Sequence, residues 1–318
     1  MELSYQKIKE ITVGAAIIWE ESDGMHFTRC IPRQLDVLRS TEPWCMENAY
    51  APTGIRFDFH TDSSYVAFSV GTNGRYELKL DGILVKQYEL ANESGKHVVE
   101  ITLGEGEHHV VFSLPNHSAE GIVSGIALEE GASCIRHIFD HKILFLGDSI
   151  TQGWNTKFDT LSYPWMISDF LNAESVIQGI GATYFVPDTV ADFGFDPDIV
   201  FVAYGTNDYH VFETLDALRE QSGLYLDKVK YMYGQASIFV ITPIWRQDIE
   251  TPLKMGTLQE CRNVIHEEGS KRGMYIINGE LLVPPMQAFM ADNVHPNTLG
   301  FLMYTLGLLK QIVAMVKF

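Results

Sequence analysis

Residues 143–151 read Ile143-Leu144-Phe145-Leu146-Gly147-Asp148-Ser149-Ile150-Thr151, and the fold turns on how that stretch is read. An apolar run long enough for a buried strand stops at Gly147, and a small serine follows on what reads as a tight turn into a helix. In an open α/β sheet such a turn lifts the hydroxyl to the C-terminal edge, where these folds keep their reactive groups. A serine hydroxyl alone is a weak nucleophile. It needs a base within hydrogen-bond reach and donors waiting for an oxyanion.

After residue 142 apolar strands alternate with amphipathic stretches. Residues 175–178, 199–203, 238–241 and 275–278 read as strands. Helical spacing links Tyr163, Ile167, Phe170 and Leu171, then Leu215, Leu218, Leu226 and Val229, then residues 258–268. This alternation predicts a parallel sheet covered on both faces. The run 299–316 is apolar enough to raise the membrane question, but Lys310 and Gln311 interrupt it. Leu299, Met303, Leu306, Leu309 and Val313 fall at helical spacing, so a closing helix that buries this face is expected, not a membrane span.

Before residue 136 the chain has a different texture. Residues 11–19, 55–60, 65–70, 76–80, 98–103 and 110–114 are short runs rich in Val, Ile, Phe and Tyr. Turn signals at 71–74, 81–82, 92–95 and 104–106 separate them, and no long helical pattern intervenes. Many short strands with such punctuation predict an antiparallel sandwich. The texture changes over 136–142, which divides the chain into an accessory β-sandwich at 1–137 and a catalytic domain at 138–318.

Three more segments follow strands at the edge where Ser149 is expected. Gln178-Gly179-Ile180-Gly181 ends the second strand, Tyr204-Gly205-Thr206-Asn207-Asp208 ends the third, and Ala291-Asp292-Asn293-Val294-His295-Pro296 precedes the last helix. The roles follow from acyl transfer. His295 takes the Ser149 proton, since an imidazole serves as base and then acid near neutral pH. Asp292 holds the other ring nitrogen. The Ser149 amide, the Gly179 amide and the Asn207 side chain supply oxyanion donors, each worth about 3–4 kcal/mol to the transition state. Trp154, Tyr184, Tyr209, His210, Trp245 and Arg246 lie just past strand ends or these segments and are the candidate wall of the substrate pocket.

Gly147-Asp148-Ser149-Ile150-Thr151, Gly179, Gly205-Thr206-Asn207-Asp208 and Asp292-Asn293-Val294-His295-Pro296 resemble, in order and spacing, the four blocks of the SGNH (GDSL-type) hydrolases. The resemblance covers residues 142–318. It implies a three-layer, flavodoxin-like α/β domain, with Ser149 as nucleophile, His295 as base, Asp292 as its orienter, and Gly179 and Asn207 in the oxyanion hole. It also implies ester hydrolysis or acyl transfer with no metal or organic cofactor. The family often carries an asparagine two residues before its second-block glycine; Ile177 stands there, which leaves Gly181 as the substitute for Gly179. The first half is similar in architecture to the jelly-roll domains that precede some carbohydrate esterases and small-molecule acyltransferases. Its role stays open between binding glycan, walling the pocket and building a homo-oligomer.

The expected function is therefore a serine esterase removing a short acyl group, such as acetyl, from a carbohydrate or other small polar molecule. An acyltransferase with an alcohol acceptor is the first alternative, and a catalytically inert carbohydrate-binding protein the second. The chain has 318 residues, 46% hydrophobic, with 23 basic against 41 acidic side chains for a net charge of −18. That balance argues against a nucleic-acid partner, which needs clustered Lys and Arg. Four scattered cysteines without a CxxC pair, and a polar start, fit a reduced cytoplasmic protein.

Asp148, Asp208, His210, Asp292 and His295 lack the close ligand pairs of a metallophosphoesterase. His137 and His141 are four apart at the domain junction with no third ligand evident, and read as structural. The sequons at Asn92 and Asn116 carry no weight without secretion.

Overall fold

The computed structural model describes residues 1–41, 43–71, 73–90, 97–116, 120–249 and 252–315; the turn expected at 92–95, Thr72 and the Asn92 sequon lie outside them. In the second half five parallel strands stand in the order Ala173–Gly179, His141–Gly147, Ile199–Ala203, Ser237–Ile241, Tyr275–Ile277. The first of these in the chain is flanked by the second and third, so the winding reverses beside it. Open α/β folds bind ligands at such a switch point, outside the carboxyl ends of the strands. The register sets Gly147 opposite both Gly179 and Ala203, which brings three strand ends level.

Side chains alternate between two covering layers. Leu144, Leu146, Val200, Val202 and Val240 pack on helices Leu215–Tyr233 and Leu258–Lys271. Ile143, Phe145, Ile199, Phe201, Phe239 and Ile241 face helices Tyr163–Phe170 and Thr298–Met315. Both faces are therefore dry, which is why these strands read as unbroken apolar runs.

The closing helix, Thr298–Met315, buries a face other than the one expected. Gly300, Phe301, Tyr304, Thr305, Leu308 and Ile312 are the inward residues. Leu299, Leu306 and Val313 are 49%, 52% and 61% exposed, and so is Leu302 at 43%. The helix carries two apolar stripes, and spacing alone does not say which one meets the sheet.

The first half contains two antiparallel sheets. One orders Thr12–Val13, Arg56–Thr61, His108–Ser113, Gly74–Leu80 and Ile83–Leu90, with Ile135–Arg136 also on Arg56–Thr61. The other orders Ile17–Glu21, Gly24–Thr28, Gly121–Leu128, Tyr65–Val70 and His97–Thr102. Phe57, Phe59, Tyr76 and Phe112 from the first meet Phe27, Val66, Phe68 and Ile126 from the second. The Phe68 and Phe112 rings stack with centroids 4.0 Å apart across the seam.

The run expected as one strand over 11–19 is divided. The chain leaves helix Tyr5–Ile11, pairs Thr12–Val13 in one sheet, and continues as Ile17–Glu21 in the other. Two helices, Pro32–Thr41 and Pro43–Tyr50, also interrupt the strand-like half. They are short, and Leu35, Leu38, Cys45 and Ala49 are their main apolar anchors, packing with Ile180 of the second half.

Arg29 joins the halves. Its side chain is fully buried, and its guanidinium donates to the carbonyls of Ala51 (2.7 Å), Asn48 (2.6 Å), Ile177 (2.6 Å) and Gly179 (2.7 Å). The last two end the strand Ala173–Gly179. Gln178 adds a bond from its Nε2 to the Arg29 carbonyl at 2.7 Å, and Asp159 accepts from the Gly54 amide at 2.5 Å.

Burial pushes the carboxyls of Asp148, Asp159 and Asp208 up to about 7. A carboxyl raised in this way keeps its proton in the folded chain after the unfolded chain has lost it. Its contribution is complete below about pH 4 and is lost as pH climbs through about 7. Asp58, Glu268 and Asp292 are also raised by burial, but hydrogen bonds and nearby cations outweigh it and bring each to about 2. Their contribution is present above about pH 4 and is lost as pH falls through about 2. The melting temperature is therefore expected to be higher at pH 5 than at pH 8, and Asp159→Asn to flatten that slope. Scanning fluorimetry across pH checks both; a flat wild-type profile contradicts them.

Candidate active site

Ser149 opens a one-turn helix, Ser149–Gln152, directly after the central strand. Asp148 is the N-cap, and its side chain accepts from the Ile150 amide at 2.9 Å. The Ser149 amide lies in the first turn, where no intrahelical acceptor is available to it. Ser149 is buried but for its edge on the cavity, at 7% exposure.

Ser149 Oγ and His295 Nε2 are 2.8 Å apart. On the other side of the ring His295 Nδ1 lies 2.9 Å from Asp292 Oδ2 and 3.1 Å from Oδ1. Asp292 also accepts from the amides of Val294 (2.8 Å) and His295 (2.7 Å). Burial raises the Asp292 carboxyl, but these amides and the imidazole outweigh it and hold it at about 2. Sequence reading missed Asn155, whose Nδ2 donates to Asp292 Oδ2 at 2.8 Å from a backbone with φ of +69°. An asparagine just past Gly153-Trp154 was the available signal.

Asn207 lines the same cavity. Its Nδ2 donates one hydrogen to the Thr183 carbonyl at 2.8 Å, which leaves the second for a ligand. The two candidate glycines separate. A Cβ on Gly179 would stand 2.4 Å from the Thr151 carbonyl carbon and the Gln152 nitrogen, so this glycine is required by strand-on-helix packing. Gly181, not Gly179, is in the cavity wall. A Cβ there would meet Asn48 Nδ2 at 2.6 Å, and the Gly181 amide donates to Gln152 Oε1 at 2.7 Å.

The cavity encloses about 340 Å³. Trp154, His210 and Arg246 line it as expected from sequence, whereas Tyr184, Tyr209 and Trp245 do not. Tyr209 is a core residue at 1% exposure whose hydroxyl donates to the Gly256 carbonyl at 3.1 Å. Tyr184 turns edge-on to Phe212, and Trp245 packs on the layer under the closing helix. Position after a strand end places a residue near the edge but does not say which way its ring points.

Arg246 is held by Asp248 at 2.9 Å through Nε and Nη2 and donates to the Thr206 carbonyl at 2.7 Å. Its Nη2 also donates to His210 Nε2 at 2.6 Å, so that nitrogen carries a lone pair. Burial and the guanidinium together push the His210 imidazole down. The remaining wall comes from the first half: Trp44 and Asn48, on the helix Pro43–Tyr50, complete the cavity opposite Val294. Nothing in the local sequence connects these two residues to Ser149, since at least a hundred residues intervene.

Residues 145–301 match the GDSL-like lipase/acylhydrolase family. No curated relative matches the sequence. Among solved structures, the salicylyl-acyltransferase SsfX3 from a tetracycline biosynthetic pathway superposes with a TM-score of 0.83 at 14% identity, covering 96% of this chain and 94% of that one. A family two carbohydrate esterase from Clostridium thermocellum in complex with cellohexaose gives 0.70 at 16% identity, covering 95% and 98%. An acetyl xylan esterase, Est2A, from Butyrivibrio proteoclasticus gives 0.64 at 13% identity, covering 86% and 93%. Both halves of the chain are thus shared with these proteins at the level of fold.

Proposed function

We propose that this chain, a carboxylic ester hydrolase with a GDSL-like lipase/acylhydrolase domain at 145–301, removes short acyl groups such as acetyl from a carbohydrate or other small polar molecule. The observation that carries the mechanism is the relay Ser149 Oγ, His295 Nε2, His295 Nδ1, Asp292, with contacts of 2.8 and 2.9 Å at a cavity wall. His295 takes the Ser149 proton as Oγ attacks the ester carbonyl carbon. Asp292 keeps the ring oriented and offsets the positive charge that forms. The Ser149 amide and the second Asn207 hydrogen donate to the oxyanion. Gly181 joins them only by giving up its bond to Gln152.

Collapse then breaks the ester bond. The leaving alcohol takes the proton from His295 and the acyl group stays on Ser149 Oγ. Water, deprotonated by the same imidazole, releases the acid and restores the serine.

Substrate size follows from the cavity, which at about 340 Å³ lies at the small end of ligand pockets. Its wall combines the indoles of Trp44 and Trp154 with polar Asn48, Asn207, His210 and Arg246, a mixture suited to a sugar ring. Carbohydrate esterases of the same two-part fold support that reading. Transfer to an alcohol is the second reading. The aromatic wall that the sandwich helix adds favours it, since an acceptor bound there competes with water.

The test is hydrolysis of p-nitrophenyl acetate, butyrate and octanoate. Acetate is expected to be cleaved at least tenfold faster than octanoate in kcat/KM. Labelling by a fluorophosphonate without hydrolysis selects the transferase. Neither labelling nor hydrolysis overturns the catalytic reading and leaves a carbohydrate-binding protein.

A further inference from the structure

Three imidazoles meet where the two halves join, at the N-terminal edge of the parallel sheet. They lie about 20 Å, a seven-residue strand, from the Ser149 edge. His60 and His109 are register partners on the adjacent strands Arg56–Thr61 and His108–Ser113, and His137 is on the link into His141–Gly147. One ring nitrogen from each lies within 4.8 Å of the other two. His109 stacks on both neighbours, at centroid distances of 4.2 Å to His137 and 4.6 Å to His60. His141, paired with His137 in the sequence reading, is not a member of the group.

The protons can be placed from the partners. Asn172 Nδ2 donates to Asp140 Oδ2 at 2.9 Å, so its Oδ1 accepts from His137 Nε2 at 2.8 Å. Asp58 Oδ2 accepts from Arg56 Nε at 3.0 Å, and a carboxylate paired with a guanidinium only accepts. His109 Nε2 is therefore the donor to Asp58 Oδ1 at 2.7 Å. Both rings, when neutral, then carry their lone pair on Nδ1. His60 Nε2 donates its hydrogen to His137 Nδ1 at 2.9 Å.

We propose that His60, His109 and His137 bind a divalent d-block cation of the Zn²⁺ or Ni²⁺ class. Imidazole nitrogens suit these ions. Asp58 and Asn172 supply what a ligating histidine needs on its other nitrogen, an acceptor that fixes tautomer and ring orientation. The ion takes the place of the hydrogen shared by His60 and His137; that proton moves to His60 Nδ1, on the side of Glu107, so that His60 binds as a neutral imidazole through Nε2. The rings are nearly parallel, so one of them has to turn. His60, whose Nδ1 meets only Glu107 at 3.9 Å among its ion-pair partners, is the arm that does so. The neighbouring cations are already neutralised, Arg56 by Asp58 at 3.0 Å and Lys79 by Asp169. His60 and His109 side chains are 31% and 22% exposed, which leaves an approach from solvent. Bound there, the ion ties two sandwich strands to the start of the catalytic sheet.

The test titrates full-length protein, first stripped with EDTA, with Zn²⁺ and separately with Ni²⁺ by calorimetry, alongside thermal unfolding. One equivalent is expected to bind, with a rise in melting temperature on the order of 4 °C at a hundredfold excess over the dissociation constant. Protons compete with the ion for imidazole nitrogen, so binding is expected to weaken as the pH is lowered. His109→Ala and His137→Gln should each abolish it, Asn172→Leu should weaken it 10–100-fold, and ester hydrolysis should be unchanged. Should a core variant fail to fold, His60→Gln and the Co²⁺ spectrum of the wild type decide. Absence of a saturable one-to-one event, or binding that survives His109→Ala and His137→Gln, overturns the proposal.

Discussion

Ser149→Ala is expected to lower turnover of p-nitrophenyl acetate by about 10⁶-fold, or about 8 kcal/mol in the barrier. The size follows from the relay acting as a unit. Without Oγ, His295 has no proton to take, and Asp292 orients a base with nothing to activate. Whatever acceleration over water remains comes from the oxyanion donors and from binding, neither of which the substitution touches. The variant should melt with the wild type. Asp148 still caps the short helix through the Ile150 amide, and alanine fills the first helical position without strain. Parallel kinetics and thermal unfolding check the pair of outcomes. More than a tenth of the activity retained, in a folded protein, would rule out Ser149 as the nucleophile.

The second large effect concerns stability. Arg29→Met is expected to cost on the order of 3–5 kcal/mol, read as a lower urea midpoint. Burial pushes the Arg29 guanidinium down, with Cys30 and Asp159 acting in the opposite sense, so the charge itself is uncomfortable where it lies. Removing it relieves that cost. The larger consequence is that the buried carbonyls of Ala51, Ile177 and Gly179 and the half-buried one of Asn48 lose the guanidinium at once, and methionine offers no donor in return. Arg29→Lys should rescue little, because a single ammonium cannot fan its donors toward Ala51, Asn48, Ile177 and Gly179 together. A midpoint within 1 kcal/mol of wild type would show that water replaces the guanidinium and that the joint is looser than its hydrogen bonds suggest.

The parallel sheet was legible because its strands are buried on both faces and therefore announce themselves as apolar runs. Residues 199–203 were bounded correctly for that reason, and 143–146 needed only its flanks added. The site segments were legible because they punctuate those strands. What escaped follows from weaker physical signals. Three strands were passed over: Ile83–Leu90 is an exposed edge, Gly121–Leu128 is diluted by Ser124, Gly125 and Ala127, and Gly24–Thr28 is only five residues long with His26 buried in its middle.

The choice between Gly179 and Gly181 depends on a clash with Thr151 in one case and Asn48 in the other, and neither is a property of the local sequence. Tyr209 and Trp154 look alike as aromatics beside a catalytic segment, yet one is core and the other wall. The contact of His137 with His60 and His109 joins residues 77 and 28 positions apart. Such long-range meetings are what folding supplies and a linear reading cannot.

Trp44 and Asn48 give the sandwich a share in the cavity while it contributes none of the reacting groups. This separates two things that selection acts on. Under the proposed mechanism, changes at 147–151, 205–208 or 292–296 alter whether bonds are broken. Changes of the Trp44 and Asn48 side chains alter what is admitted, on a helix anchored separately through Cys45 and Ala49. Descendants of such a gene can therefore exchange one substrate for another by drift in the half that looks dispensable. Recombination that swapped that half wholesale would hand the enzyme an unrelated doorway and sever the Arg29 joint together.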